Sequence, residues 1–193
     1  MDDQAARYEH LIAAAIAAHE RMRRRDPAPL VAAAAAIVKA VTSGGKVLVF
    51  GNGGSAADAQ HAAAELVGRF ERDRPAIAAI ALSTDTSILT AVGNDFGFER
   101  VFARQIEALG RPGDAVLAIS TSGDSPNVLA GVDAARRTGL TVIALTGRDG
   151  GTLGRAADIH VNVPEHNTAR AQEVHRTLLH ILCELVEQEV FGL

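Results

Sequence analysis

The sequence predicts an α/β domain: a doubly wound, five-stranded, mainly parallel sheet flanked by helices. Three observations carry that expectation. Five short apolar runs, at residues 46–50, 76–82, 114–120, 141–146 and 159–163, mostly lack polar alternation, which suits strands covered on both faces. Helical stretches at 55–67, 86–92, 98–109 and 128–138 alternate with them, the pattern of βαβ crossovers. The length, 193 residues, fits a single domain over 1–193 whose core needs no disulfide or structural metal.

The remaining elements are helices. Residues 4–25 place Tyr8, Leu11, Ile12, Ile16 and Met22 on a helical stripe. Arg21, Arg23, Arg24 and Arg25 close it with charge that suits a helix C-terminus. Asp26-Pro27-Ala28-Pro29 breaks this helix. An alanine-rich helix over 30–42 follows, able to pack closely, and Gly44-Gly45 ends it. A long helix over 168–190 closes the chain. No internal repeat or linker divides the sequence.

Composition excludes several classes. Nineteen basic against 23 acidic residues give a net charge of −4, and the aromatics are six Phe, one Tyr and no Trp. That balance argues against a nucleic-acid surface of basic residues and stacking rings. With 48% hydrophobic and 22% charged residues, wholesale disorder is excluded. The single cysteine, Cys183, excludes an intramolecular disulfide and a Cys-rich zinc site. The longest apolar run, 30–38, stops at Lys39, far short of the ~20 residues of a membrane-spanning helix. No basic segment precedes an apolar stretch after Met1-Asp2-Asp3, so no secretory signal is visible and the expected address is the cytosol.

In open α/β sheets ligands sit beyond the C-terminal ends of the strands, so the turns leaving those ends are where chemistry is expected. Gly51-Asn52-Gly53-Gly54-Ser55 follows one strand and opens a helix. Its glycines allow close backbone approach, and a helix N-terminus favours an anion. Gly51, Gly53 and Ala56 match a loose dinucleotide fingerprint, but the acid that binds the ribose is out of place. Glu71 and Asp73 lie in the loop before the next strand, and Asp85 lies too far along. The Walker lysine is absent as well, so no nucleotide cofactor is expected. The second turn, Ser120-Thr121-Ser122-Gly123-Asp124-Ser125-Pro126-Asn127, crowds four hydroxyls at a strand-to-helix junction. One hydroxyl suffices as a cap, whereas several hydroxyls with free N–H groups make a phosphate cradle.

His61 and Glu65 stand four apart on the helix after the glycine turn, hence on one face. An imidazole beside a carboxylate suits metal binding or acid–base work, although such a pair is also common as a plain surface contact. The last helix supplies Gln172, Glu173, His175 and His180. Gln172 and His180 are eight apart, about 12 Å of helical rise, so they flank a common point rather than sit side by side. His10, His19, His160 and His166 read as surface or structural.

Together these residues resemble the phosphosugar-isomerase (SIS) family and, within it, the bacterial phosphoheptose isomerases. The matching stretches run from Gly51 to His61 with Glu65, then Arg74-Pro75, Thr84-Asp85-Thr86-Ser87 and Gly93-Asn94-Asp95. They continue through Ser120 to Ser125, Thr146-Gly147, Gly150-Gly151, and Gln172-Glu173 to His180. The resemblance implies an isomerase that interconverts sedoheptulose 7-phosphate and an aldoheptose 7-phosphate, at the start of nucleotide-activated heptose synthesis. It implies a homotetramer, with the helical segment 1–45 and the last helix used in oligomer packing. It also implies one zinc ion per subunit, held by His61, Glu65, Gln172 and His180, with Gln172 and His180 straddling the metal or one of them supplied by an irregular helix start or a neighbouring subunit. Implied substrate contacts are Asn52, Gly53, Gly54, Ser55, Glu65, Asn94, Asp95, Ser120, Thr121, Ser122, Ser125 and Gln172. Glu65 would be the base and His180 its acid–base partner. The same family contains a non-catalytic branch that binds the bacterial replication initiator. That branch lacks the equivalents of Glu65 and His180, so it is the alternative rather than the expectation. A sugar-phosphate sensor is a third reading, but such regulators usually carry a DNA-binding segment, for which this chain has no room beside the sheet.

Overall fold

Five parallel strands carry the fold, in the order β2-β1-β3-β4-β5: β1 (Val47–Gly51), β2 (Ala79–Ala81), β3 (Ala115–Ser120), β4 (Thr141–Thr146) and β5 (Ile159–Asn162). The computed structural model describes residues 2–192. Eight α-helices are seen among those residues: α1 (Asp2–Arg23), α2 (Ala28–Thr42), α3 (Gly54–Val67), α4 (Thr86–Phe96), α5 (Val101–Leu109), α6 (Pro126–Thr138), α7 (Gly151–Ala156) and α8 (Thr168–Phe191). No helix among the described residues is long and apolar enough to cross a membrane.

The unbroken apolar runs of the strands are explained by two cores. Side chains alternate across a sheet, and here both faces are covered. Val47, Val49, Leu117, Ile119, Ile143 and Leu145 join Ile37 of α2, Leu66 of α3 and Leu179 of α8. The intervening Leu48, Phe50, Val116, Ala118, Val142 and Ala144 join Phe102 and Ile106 of α5, Val132 of α6 and Leu153 of α7. A polar residue on either face would be buried without water, so no alternation survives.

Element limits differ from expectation where another partner takes the backbone. Lys46 does not enter β1, because its N–H donates to the Asp114 carboxylate at 2.9 Å. The run expected at 76–82 gives only the three residues of β2. Ile77 N–H bonds instead to Leu66 O at the end of α3. α4 extends to Phe96, past the expected 92, and residues 98–100 form a 3₁₀ turn before α5. α7 was not expected: its six residues include two glycines and a single core side chain, Leu153.

β1 leads outward to β2, and the chain then returns to β3 on the other side of β1. The sheet order therefore reverses between β1 and β3, the crevice where such sheets bind ligands. Two helices leave apolar side chains uncovered. On α1, Tyr8 and Ile16 are 67% and 60% exposed, and α4 buries none of its residues.

Candidate functional site

The two turns expected to bind an anion meet at the β1/β3 crevice. Asn52, leaving β1, and Asn127, in the first turn of α6, exchange reciprocal amide hydrogen bonds of 2.8 and 2.9 Å. Gly53 has φ +56, a conformation natural to glycine, and Ser55 is buried where α3 begins. In the second turn the Ser120 hydroxyl lies 3.4 Å from that of Ser122 and 3.3 Å from that of Ser125, and it accepts from Gly123 N–H at 3.1 Å. Three hydroxyls thus converge beside the N-terminus of α6, whose first N–H groups lack helical partners. Thr121 is half-buried next to them.

The helices α3 and α8 meet through a ladder of polar contacts. Gly54 lies against the Gln172 amide, so close that a Cβ there would stand 2.3 Å from Nε2. One turn on, Asp58 Oδ1 accepts from Arg176 Nε and Nη2 at 2.9 and 2.6 Å. One turn further, His61 Nε2 lies 2.7 Å from His180 Nε2 and 3.3 Å from Glu65 Oε1. The rungs on α8 fall at 172, 176 and 180 because residues four apart share a helix face. A cleft of about 560 Å³ opens beside the first two rungs, lined by Gly54, Asp58, Gln172 and Arg176 among others. A second cleft, of about 600 Å³, lies between the end of α1, β5 and α8. Its wall includes Met22, Leu30, Val174 and Leu178 but none of the polar groups just described.

His61, Glu65 and His180 each offer a donor atom, all within 4.8 Å of one another. Two imidazole nitrogens facing each other at 2.7 Å need a proton or a cation between them, since two lone pairs repel. Burial lowers the His61 pKa below its ordinary 6.5, helped by the Arg176 charge and by His180 and opposed by Glu65. The neutral imidazole is the ligating form, and two nitrogens with one carboxylate oxygen are a donor set that suits zinc. The three residues therefore fit a divalent metal. Cys183, one turn beyond His180, takes no part: burial and then Glu65 push its thiol up to about 12, so it stays protonated.

Other expected residues lie elsewhere. Gln172 sits at the glycine turn, apart from the two histidines, and α8 runs unbroken from Thr168, so an irregular helix start does not bring Gln172 to His180. Asn94 and Asp95, on exposed α4, are bonded to each other at 2.7 Å. His175 is wholly buried and bonds to Thr146 O at 3.0 Å, while Glu173 pairs with Arg170. His160 is structural, bonded to Thr146 Oγ1 at 2.7 Å. Sequence reasoning missed the parts played by Asn127 and by the Asp58–Arg176 pair. Only the Asn that follows Ser125-Pro126 carried a local hint.

Comparison with known proteins identifies the family and agrees with the fold. A family model described as the SIS domain matches residues 10–147. A phosphoheptose isomerase of Bordetella avium is 50% identical over 193 residues, covering 98% of each chain. One from Trichlorobacter lovleyi is 52% identical over 178 residues, covering 92% of this chain and 91% of its own. The solved phosphoheptose isomerase structure from Neisseria gonorrhoeae superposes with a TM-score of 0.91 at 45% identity, covering 96% of this chain and 99% of its own. With its sheet order, its paired turns and relatives of this closeness, the chain belongs to the SIS domain family and groups there with the phosphoheptose isomerases.

Proposed function

We propose that the chain is an aldose–ketose isomerase converting sedoheptulose 7-phosphate to D-glycero-D-manno-heptose 7-phosphate through an enediolate, in the cytosol, as the first step of nucleotide-activated heptose synthesis. The observation that carries this reading is the group formed by His61 and Glu65, on the helix that starts at the glycine turn, with His180 of α8. About two helical turns, roughly 10 Å, separate Gly54 from His61 along α3, so one substrate can engage both places.

In this reading Ser55, Ser120, Thr121, Ser122 and Ser125 hold the phosphate, with the N–H groups of Gly53 and Gly54 and the Asn52 amide beside them. Glu65 takes a proton from one of the two carbons that exchange the carbonyl and returns it to the other. His180 moves protons at the sugar oxygens. Gln172 contacts the substrate near the glycine turn. Nothing is oxidised overall, so no redox cofactor enters. Zinc, held by His61, Glu65 and His180, would supply a Lewis acid for the carbonyl and the enediolate oxygens. Gln172 completes that ligand set only from a neighbouring subunit or after a shift of α8.

The exposed apolar faces of α1 and α4 support a homotetramer, in which Asn94 and Asp95 reach a neighbouring subunit's site. Light scattering tests this: a mass of four chains is expected, and a monomer at micromolar concentration contradicts it. The initiator-binding alternative is not favoured, because a binding protein has no evident use for the Glu65–His180 arrangement. Zinc-loaded protein incubated with sedoheptulose 7-phosphate is expected to give an aldoheptose 7-phosphate anomeric signal by proton NMR. No signal from folded, metal-replete protein would overturn the reading.

A further inference from the structure

Arg74 and Glu187 form an ion pair that takes no part in the chemistry above, yet both side chains are almost wholly buried, 2% and 3% exposed. Burying two charges is costly and seldom favourable for stability alone. Their contacts run toward the site. Arg74 donates through Nη2 to Glu65 O at 2.7 Å and through Nη1 to Leu66 O at 2.8 Å. These are end-of-helix carbonyls without helical partners, in a helix with no basic residue in its last turn. One of them belongs to Glu65 itself.

Glu187 holds the other half of the arrangement. Its carboxylate accepts from Arg74 Nε at 2.7 Å, Arg72 N–H at 3.1 Å and Phe70 N–H at 3.2 Å. Burial works to raise its pKa, but the Arg74 hydrogen bond and the two N–H donors prevail and keep it ionised. The loop so held presents the Phe70 ring to the His180 ring, with centroids 5.5 Å apart. Glu187 also lies seven residues, two turns, beyond His180 on the same face of α8.

We infer that the Arg74–Glu187 pair is a positioning clamp: it fixes the Glu65 backbone through Arg74 and the His180 ring through Phe70, setting the approach of the two groups across the α3–α8 junction. Neither residue touches substrate. The role rests on the functional reading above.

The test compares Arg74→Lys, Glu187→Gln and Phe70→Leu with Asp114→Asn. Asp114 is likewise a buried, ion-paired carboxylate, its partner the half-buried Lys46, but at the N-terminal edge of the sheet, away from the site. Phe70→Leu leaves no buried charge, so it is informative even if a charge variant fails to fold. Each variant is assayed for melting temperature, for kcat and KM, and for zinc affinity by competition with a chromophoric chelator. Expected for Arg74→Lys and Glu187→Gln is a fall of about 10–100-fold in kcat and in zinc affinity, the usual scale for groups that orient ligands. KM should move less than about threefold, since phosphate binding is untouched. Phe70→Leu should lose a smaller factor of both, while Asp114→Asn should lose melting temperature only. Variants that lose melting temperature while keeping wild-type kcat and zinc affinity would overturn the clamp alone. A wild-type chain without isomerase activity or zinc binding would overturn the functional reading and the clamp with it.

Discussion

Gly54 and Gly123 lie in neighbouring turns at the same end of the sheet, but an added methyl group meets different obstacles. At Gly54 it would strike the tip of the Gln172 side chain at 2.3 Å, a group free to swing away. At Gly123, with φ +73, it would strike Gly150 O at 2.1 Å, which is fixed backbone. Gly54→Ala is therefore expected to fold with little loss of stability and to raise KM by displacing Gln172, as steady-state kinetics would show. Gly123→Ala is expected to lose at least ~2 kcal/mol in urea unfolding, from left-handed strain plus the clash. Equal behaviour of the two variants would contradict the assignment of Gln172 to the turn. At this scale the spacing of four put His61 and Glu65 on one helix face, and their place on the helix that leaves the glycine turn made them candidates. His180 needed the family resemblance, since its partner His61 lies 119 positions away. Arg74 and Glu187, 113 positions apart, meet only because the fold brings the end of α3 to α8.

At the scale of elements, α8 connects most of the chemistry. It carries the candidate site residues Gln172 and His180, with the ion-paired Arg176 and Glu187 on the same helix, and its N-terminus is capped by Asn167, whose Oδ1 accepts from Ala169 and Arg170 N–H at 2.9 and 3.2 Å. Asn167→Ala is expected to cost ~1 kcal/mol of stability, the usual value of a side-chain cap. Chemical denaturation measures this, and an unchanged midpoint would mean the cap is dispensable. Most strands were readable because each alternates between two apolar cores. Their ends were less so, since Lys46 N–H is claimed by Asp114 and Ile77 N–H by the end of α3. α7 had no readable signal, because a six-residue helix with one buried side chain makes no apolar stripe.

Across the whole molecule, three histidines respond to acid in the same direction. Burial lowers the pKa of His175, His160 and His61 from the ordinary 6.5. A group with a lowered folded pKa is neutral in the native state, so the unfolded chain takes up protons first as pH falls below about 6.5. Stability is thus fully present above that value and declines as pH falls toward the folded values. Asp114 and Glu187, held below their ordinary 3.8 and 4.5, add a second loss in stronger acid. Metal-stripped protein is expected to melt at a lower temperature at pH 5.5 than at pH 7.5, and a flat profile would contradict the burial of these rings. The central claim, however, concerns the proton that Glu65 moves between two carbons. It is tested most directly by turnover of sedoheptulose 7-phosphate by Glu65→Gln beside the wild-type chain, both zinc-loaded and both shown folded by circular dichroism. The account predicts a fall in kcat of about 10²–10⁴-fold, the contribution of a positioned general base. Wild-type turnover by the folded variant would remove Glu65 from the chemistry and contradict the account.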